Sequence, residues 1–202
     1  MKIVREETLI SCGDYAKSKD WKKTRVRLHK AIREVDWPRG SGKFTIHAQS
    51  GKKSGEGNGV KPIKDGLIEE LEKQGWKSEQ YLDILKTKRP GKIDSILETP
   101  HGIVALEWET GNISFSHRAL NKMALGLLKG VLAAGILVVP SRAMYKFLTD
   151  RVGNITELAP YLDMWRSIPC TQGILEIVVI EHDATSTDVP RIPKGTDGRA
   201  RL

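Results

Sequence analysis

The chain has 202 residues, with 33 Lys and Arg against 25 Asp and Glu, a formal net charge of +8 and a pI near 9.5. Hydrophobic residues make up 39% and charged residues 29%, the balance of a globular chain with one substantial core rather than a disordered or fibrous one. The basic excess favours a polyanionic partner through counterion release, although charge alone does not separate a nucleic-acid binder from an ordinary basic protein.

In chain order, residues 20–35 show helix-like spacing at Trp21, Val26, Leu28, Ile32 and Val35, and Trp37-Pro38 ends that helix. Residues 43–47 predict a short strand. The Gly-, Ser- and Lys-rich stretch 49–59 predicts a flexible, exposed loop whose Lys52 and Lys53 either follow phosphates or are simply solvated. Residues 64–75 predict a helix, with Leu67, Ile68 and Leu71 on one face and Gly75 as its stop. Residues 82–85 and a basic turn at 86–91 lead into two acid-bearing strands, about 92–97 and 103–109, joined near Pro100-His101-Gly102. A turn at 110–114 delivers the chain into a helix from about 115 to 129. There Phe115, Ala119, Met123 and Leu127 form the stripe, and Arg118 and Lys122 fall elsewhere on the surface. Residues 131–139 predict a strand, 141–150 a helix with Ser141 as N-cap, and Asn154 the cap of a short helix through 162. Residues 174–180 predict the last strand, and 188–202 a polar, loop-like tail. The alternation in the second half predicts an α/β fold, a mixed central β-sheet flanked by helices, in a single domain over 1–202.

The two cysteines, Cys12 and Cys170, make neither a disulfide framework nor a zinc cluster, and free thiols in a reducing cytoplasm are the expected state. Residues 1–7 lack the apolar core of a signal peptide, and the run 131–140 is too short to cross a bilayer. A cytoplasmic protein with no membrane partner is therefore expected. The phosphate-cradling glycine loop and the dinucleotide fingerprint are absent, so no nucleotide cofactor is expected. His29, His47, His101 and His182 show no zinc spacing.

Chemistry concentrates at Glu107 and Glu109, two acids in an otherwise apolar strand. Their spacing of two puts both on one face, with Cα atoms roughly 6–7 Å apart. Burying unpaired carboxylates is costly, and a divalent cation is the common way to offset it. Asp94, a short hairpin upstream, can point into the same space. Hard oxygen ligands select Mg²⁺ or Mn²⁺, and such a site inside a basic surface suits an enzyme that hydrolyses DNA. The bland alternative is a set of edge-strand acids that meet solvent or lysine partners. A second group, Asn112, Ser114, His117 and Arg118, stands where a turn enters a helix. Free N–H groups there can seat phosphate, and Asn, Ser and Arg can read base edges, whereas plain capping by Asn112 or Ser114 is the simpler reading. Asp150-Arg151 is either a surface ion pair or a further reader, and residues 192–199 form a basic tail.

These pieces also match one family in order and spacing. Asn58-Gly59-Val60-Lys61-Pro62-Ile63-Lys64, Gly91-Lys92-Ile93-Asp94, Glu107-Trp108-Glu109-Thr110-Gly111-Asn112-Ile113-Ser114, His117-Arg118, Leu148-Thr149-Asp150-Arg151-Val152 and Ile192-Pro193-Lys194-Gly195-Thr196-Asp197-Gly198 make the chain resemble the BamHI family of type II restriction endonucleases. The resemblance covers about the last three quarters of the sequence. It implies a restriction-endonuclease core acting as a homodimer on palindromic double-stranded DNA, with Mg²⁺ (Mn²⁺ as a substitute) and cleavage at GGATCC. It implies that Asp94, Glu107, Glu79 and the Trp108 carbonyl hold metal. Glu109 replaces the lysine of the wider nuclease motif and serves as general base or second-metal partner. Asn112, Ser114, Arg118, Asp150 and Arg151 become the major-groove readers, and Lys64 lies near the DNA. Lys194, Asp197 and Gly198 belong to a C-terminal arm in the minor groove, where Arg199 adds a contact. Dimer-interface residues stay open. A metal-dependent nuclease of other specificity, or a noncatalytic DNA-binding protein, shares part of this pattern.

Overall fold

Two nearly unbroken apolar runs dictate the centre of the fold, because a strand without a polar face must be covered on both sides. In this computed structural model, which describes residues 1–51, 56–85, 91–149 and 152–194, those runs become adjacent central strands. In chain order the strands are β1 (Lys2–Cys12), β2 (Thr45–His47), β3 (Lys77–Gln80), β4 (Ile93–Thr99), β5 (Gly102–Trp108), β6 (Leu132–Pro140), β7 (Gly173–Glu181) and β8 (Ala184–Ser186). The helices are α1 (Gly13–Lys17), α2 (Lys19–Glu34), α3 (Lys61–Glu72), α4 (Ile113–Leu128), α5 (Arg142–Tyr145), α6 (Ile155–Leu158) and α7 (Leu162–Arg166). Six strands form one sheet in the order β1-β7-β6-β5-β4-β3. Strands β5, β6 and β7 are mutually parallel, while β1, β4 and β3 join their neighbours antiparallel. Strands β2 and β8 form a separate parallel pair. The expected α/β architecture with a mixed sheet between helices is what the chain adopts.

Alternation along β5 assigns the two faces. Val104, Leu106 and Trp108 pack with α2 and α3, whereas Ala105 packs with α4, α6 and α7. Glu107 follows the parity of Ala105 and therefore turns towards α4. That helix lies close to the sheet because β6 offers Gly135: a Cβ there would stand 2.7 Å from Met123 Cβ. The close approach carries Lys122, the residue before Met123, over Glu107.

Several expectations need correction. The first strand, β1, was not foreseen. Its residues alternate irregularly because it is an edge strand with two register shifts against β7. Arg25 of α2 ties it down at 3.0 Å from Glu6 and also reaches Glu176 of neighbouring β7 at 3.2 Å. Strands β3 and β8 were likewise unread, being four and three residues long. Phe115, placed on the stripe of its helix, is 44% exposed, and Val26, read at helical spacing, is 68% exposed. The helix expected over 141–150 stops at Tyr145, although Ser141 caps it as foreseen. The helix capped by Asn154 ends at Leu158 and is followed by a 3₁₀ turn and α7.

Much of the loop expected to be flexible and exposed is, where described, packed into the protein, although Ser50 stays exposed. Gly51, Gly57, Asn58 and Gly59 are buried, and Lys52 and Lys53 lie outside the described residues. A Cβ on Gly51 would fall 1.5 Å from the Leu148 carbonyl oxygen, and one on Gly59 1.9 Å from that of Pro193. The glycines serve close backbone approach rather than mobility. Asn58 is fully buried. Its Nδ2 donates to the carbonyls of His47 (2.9 Å) and Phe147 (2.8 Å), and its Oδ1 accepts from Ile192 N–H (3.1 Å). Three separate segments thus hang on one amide. Phe147 O also accepts from Asn58 N–H and would keep that bond, but replacing the side chain takes the acceptor from buried Ile192 N–H and the side-chain donor from the His47 carbonyl, so Asn58→Ala should lower unfolding free energy by about 2–4 kcal/mol. Denaturant unfolding checks this, and a loss below about 0.5 kcal/mol, the ordinary surface value, would contradict it.

Candidate active site

The site grows from the register of three strands. Ser78 pairs with Ser95 and Gln80 with Ile93, which brackets Glu79 and Asp94; Ser95 pairs with Leu106, one step before Asp94 and Glu107. Glu79, Asp94 and Glu107 consequently form a row across β3, β4 and β5. Trp108 N–H donates to Asp94 Oδ2 at 2.8 Å, and Asp94 N–H donates to Glu107 Oε2 at 3.3 Å. Glu109 lies one residue beyond β5, its N–H held by the Val138 carbonyl at 3.0 Å. Asp94 and Glu107 thus meet directly, and the charges of both act on Glu109.

The acids are not left unpaired, which corrects the premise from which they were first singled out. Lys64 of α3 forms an ion pair with Asp94 Oδ1 and lies 3.4 Å from Glu79 Oε1. Lys122 of α4 forms an ion pair with Glu107 Oε1 and also donates to the Lys92 carbonyl at 3.3 Å. Lys122 is therefore not a surface residue: its side chain is 13% exposed. Sequence reasoning missed it because the stripe was drawn through Phe115. The buried face in fact runs through Ser116, Ala119, Leu120 and Met123, with Lys122 at its border. Glu79 is half exposed and, among the described residues, meets the cluster through Lys64; Lys92 lies 3.7 Å from its second oxygen. Its φ of 53° is a left-handed conformation that a glutamate adopts at a cost of about 1–2 kcal/mol.

Charge crowding shows in the titration of these groups. Burial raises the Glu107 carboxyl, and Lys122 opposes the rise. Glu109 is pushed up to about 7, first by burial and then by the charges of Glu107 and Asp94, with Arg118 and Lys64 acting against them. Burial pulls the Lys64 ammonium down, but Asp94 and Glu79 outweigh it and the net movement is up. No group of three or more His, Cys, Asp or Glu side chains among the described residues is arranged to hold a metal as it stands. The donor chemistry nevertheless fits a hard divalent cation, since carboxylate oxygens converge and two ammonium groups already stand in as counterions.

Around this pocket, Asn112 is the N-cap of α4 and its Oδ1 accepts from Ser114 N–H at 3.0 Å, so the simpler capping reading is realised. Asn112, Ser114 and Arg118 are all exposed, and the Arg118 guanidinium lies 4.8 Å from the centre of the Phe115 ring. His117 packs on Tyr161 and Trp165, away from the acids. Lys194 donates to the Glu56 carbonyl at 2.6 Å. Asp150, Arg151, Asp197, Gly198 and Arg199 lie outside the described residues.

A carboxyl raised from 4.5 to about 7 in the folded state binds its proton more tightly than in the unfolded chain. Stability is therefore lost as pH rises between those values, and the full penalty is present above them. Without metal, Glu109→Gln should melt several degrees higher than the wild type at pH 8, and the difference should vanish near pH 4. Calorimetry at both pH values checks this; equal melting at pH 8 would contradict the crowding.

Comparison with known proteins agrees with the geometry. The family profile described as Restriction endonuclease BamHI matches residues 1–199. The type II restriction enzyme OkrAI of Oceanobacter kriegii is 45% identical over 200 residues, 99% of each chain. The type II restriction enzyme BamHI of Bacillus amyloliquefaciens is 37% identical over 172 residues, 82% of this chain and 76% of that one. The crystal structure of restriction endonuclease BglII with a DNA 16-mer superposes with a TM-score of 0.60 at 12% identity, covering 91% of this chain and 79% of that one, a likeness of fold. An acid cluster on a mixed sheet, in a chain matched nearly end to end, places this protein in the BamHI family of type II restriction endonucleases, the site-specific deoxyribonucleases.

Proposed function

We propose that the protein makes double-strand cuts at GGATCC, as a homodimer with Mg²⁺ as its cofactor, and that Asp94, Glu107 and Glu109 form its active centre. The observation that carries the reading is the convergence of these three acids, with Glu109 near 7, inside a chain of net charge +8. The 45% identity to a type II restriction enzyme over the full length supports it. On this reading residues 1–202 act as one catalytic domain of a cytoplasmic enzyme. Among the described residues no helix is long and apolar enough to cross a membrane.

Asp94 and Glu107 are the residues that would hold the cation, with Glu79 and the Trp108 carbonyl as further oxygens beside them. When bound, a divalent cation supplies Lewis acidity: it makes water a nucleophile, polarises the phosphodiester and neutralises the leaving oxygen. With its carboxyl pushed up to about 7, mainly by burial, Glu109 can accept a proton from the attacking water near neutral pH. Lys64, reaching Asp94 from α3, can also meet the DNA backbone. Exposed Asn112, Ser114 and Arg118 at the start of α4 test base edges in the major groove, joined by Asp150 and Arg151. Lys194, Asp197, Gly198 and Arg199 follow the minor groove. A palindrome read by two copies requires two-fold symmetry of the protein.

Digestion of a plasmid containing one GGATCC, with and without Mg²⁺, tests this directly. A single linear product only with Mg²⁺ is expected. Glu109→Ala should reduce cutting by at least about 10²-fold while cognate binding in a gel shift stays near wild type. Smearing of the plasmid, cutting at another sequence, or a gel shift with no cleavage would overturn the proposal.

A further inference from the structure

The pocket contains a group that its acids do not explain. Lys122 reaches from α4 to Glu107 Oε1, and its side chain is only 13% exposed. Glu107 is 5% exposed, so this is an ion pair in a poorly screened corner. Lys64 makes the equivalent contact with Asp94 Oδ1 from the opposite helix layer. The second oxygens of both acids are used differently: Trp108 N–H holds Asp94 Oδ2 and Asp94 N–H holds Glu107 Oε2. Each carboxylate therefore has one oxygen fixed by backbone and one held by lysine. The oxygens available to a cation are those the lysines occupy.

From this geometry we infer that Lys122 is a positioning residue that acts as a built-in counterion: it holds Glu107 in place before metal enters and competes with metal for Glu107 Oε1. The inference rests on the divalent-metal reading above and extends it to a residue that reading does not use. Three features support it. The pair is built rather than accidental, because the glycine at 135 lets α4 come close enough for Lys122 to reach. The ammonium has an alternative partner at hand, the Lys92 carbonyl at 3.3 Å, onto which it can settle when displaced. Without an ammonium, Glu107 would face Asp94 and Glu109 with no cation of its own, the arrangement that burial penalises most. The consequence is counterintuitive. Deleting a positive charge from the pocket should tighten metal binding while making the metal-free protein less stable.

The test is Mn²⁺ binding by titration calorimetry on the full-length wild type, Lys122→Gln and Lys122→Arg, with thermal melts in chelator run alongside. Lys122→Gln is expected to bind Mn²⁺ on the order of tenfold more tightly and to melt lower without metal, and Lys122→Arg should restore both values towards wild type. Unchanged or weaker Mn²⁺ binding by folded Lys122→Gln would overturn the inference. Should that variant not fold, the wild type decides by NMR of its ¹⁵N-labelled lysine ammonium groups. Saturating Mg²⁺ must then move the Lys122 signal, and an unmoved signal overturns the inference. A wild type that binds no Mn²⁺ at all would instead sink the metal-dependent reading on which this one stands.

Discussion

Like charges gathered in a poorly hydrated corner must be compensated, and much of this fold is organised around that requirement. Asp94, Glu107 and Glu109 meet where β4 and β5 lie side by side, and backbone N–H groups fix one oxygen of each of the first two. The remaining negative charge draws a lysine from each helix layer, Lys64 from α3 and Lys122 from α4. Neither lysine could reach without the packing beneath it. Buried Ile63 and Leu67 hold α3 against its face of the sheet, and Met123 seats α4 on Gly135. Even with both lysines in place, burial first and then the charges of Glu107 and Asp94 hold the Glu109 carboxyl well above the ordinary range. The energetic deficit and the chemical capacity of the pocket are the same fact.

A second organising element holds the surroundings of the pocket. Buried Asn58 joins the β2 end, the segment after α5 and the segment through Ile192 with three side-chain hydrogen bonds. In sequence, the last two of these segments lead towards Asp150 and Arg151, which the family resemblance implies are major-groove readers, and towards Asp197 and Gly198, which it implies belong to a minor-groove arm. Binding groups on irregular segments gain precision when the segments are anchored to a rigid point nearby. On the proposed reading, recognition and hydrolysis rest on different devices, a hydrogen-bonded amide in one case and ion pairs in the other.

Much of this was legible in the sequence, and what escaped has physical causes. Period-two spacing singled out Glu107 and Glu109, and the unbroken apolar runs announced β6 and β7. The family string from Glu107 to Ser114 pointed to the correct enzyme class. Strand β1 was illegible because an irregular edge strand mixes Glu, Thr and Ile without a clean period, and its pairing with β7 is made across more than 150 residues. The glycine-rich loop was misread because Gly, Ser and Lys are the composition both of mobile linkers and of backbone packed tightly on backbone. The partner that distinguishes them, the chain around Leu148 and Pro193, is remote in sequence. Lys122 was hidden for a similar reason: one lysine on an amphipathic helix has no local mark that says it faces a buried acid.

The central claim is that the acid cluster is completed by a divalent cation, and thermal unfolding of the wild-type protein in Mg²⁺ and in chelator at pH 8 tests it most directly. Because a ligand bound only to the folded state stabilises it in proportion to the logarithm of its concentration, melting should rise steadily with Mg²⁺. The rise should disappear in Asp94→Asn. Melting that is indifferent to Mg²⁺, or that rises equally in Asp94→Asn, would contradict the account.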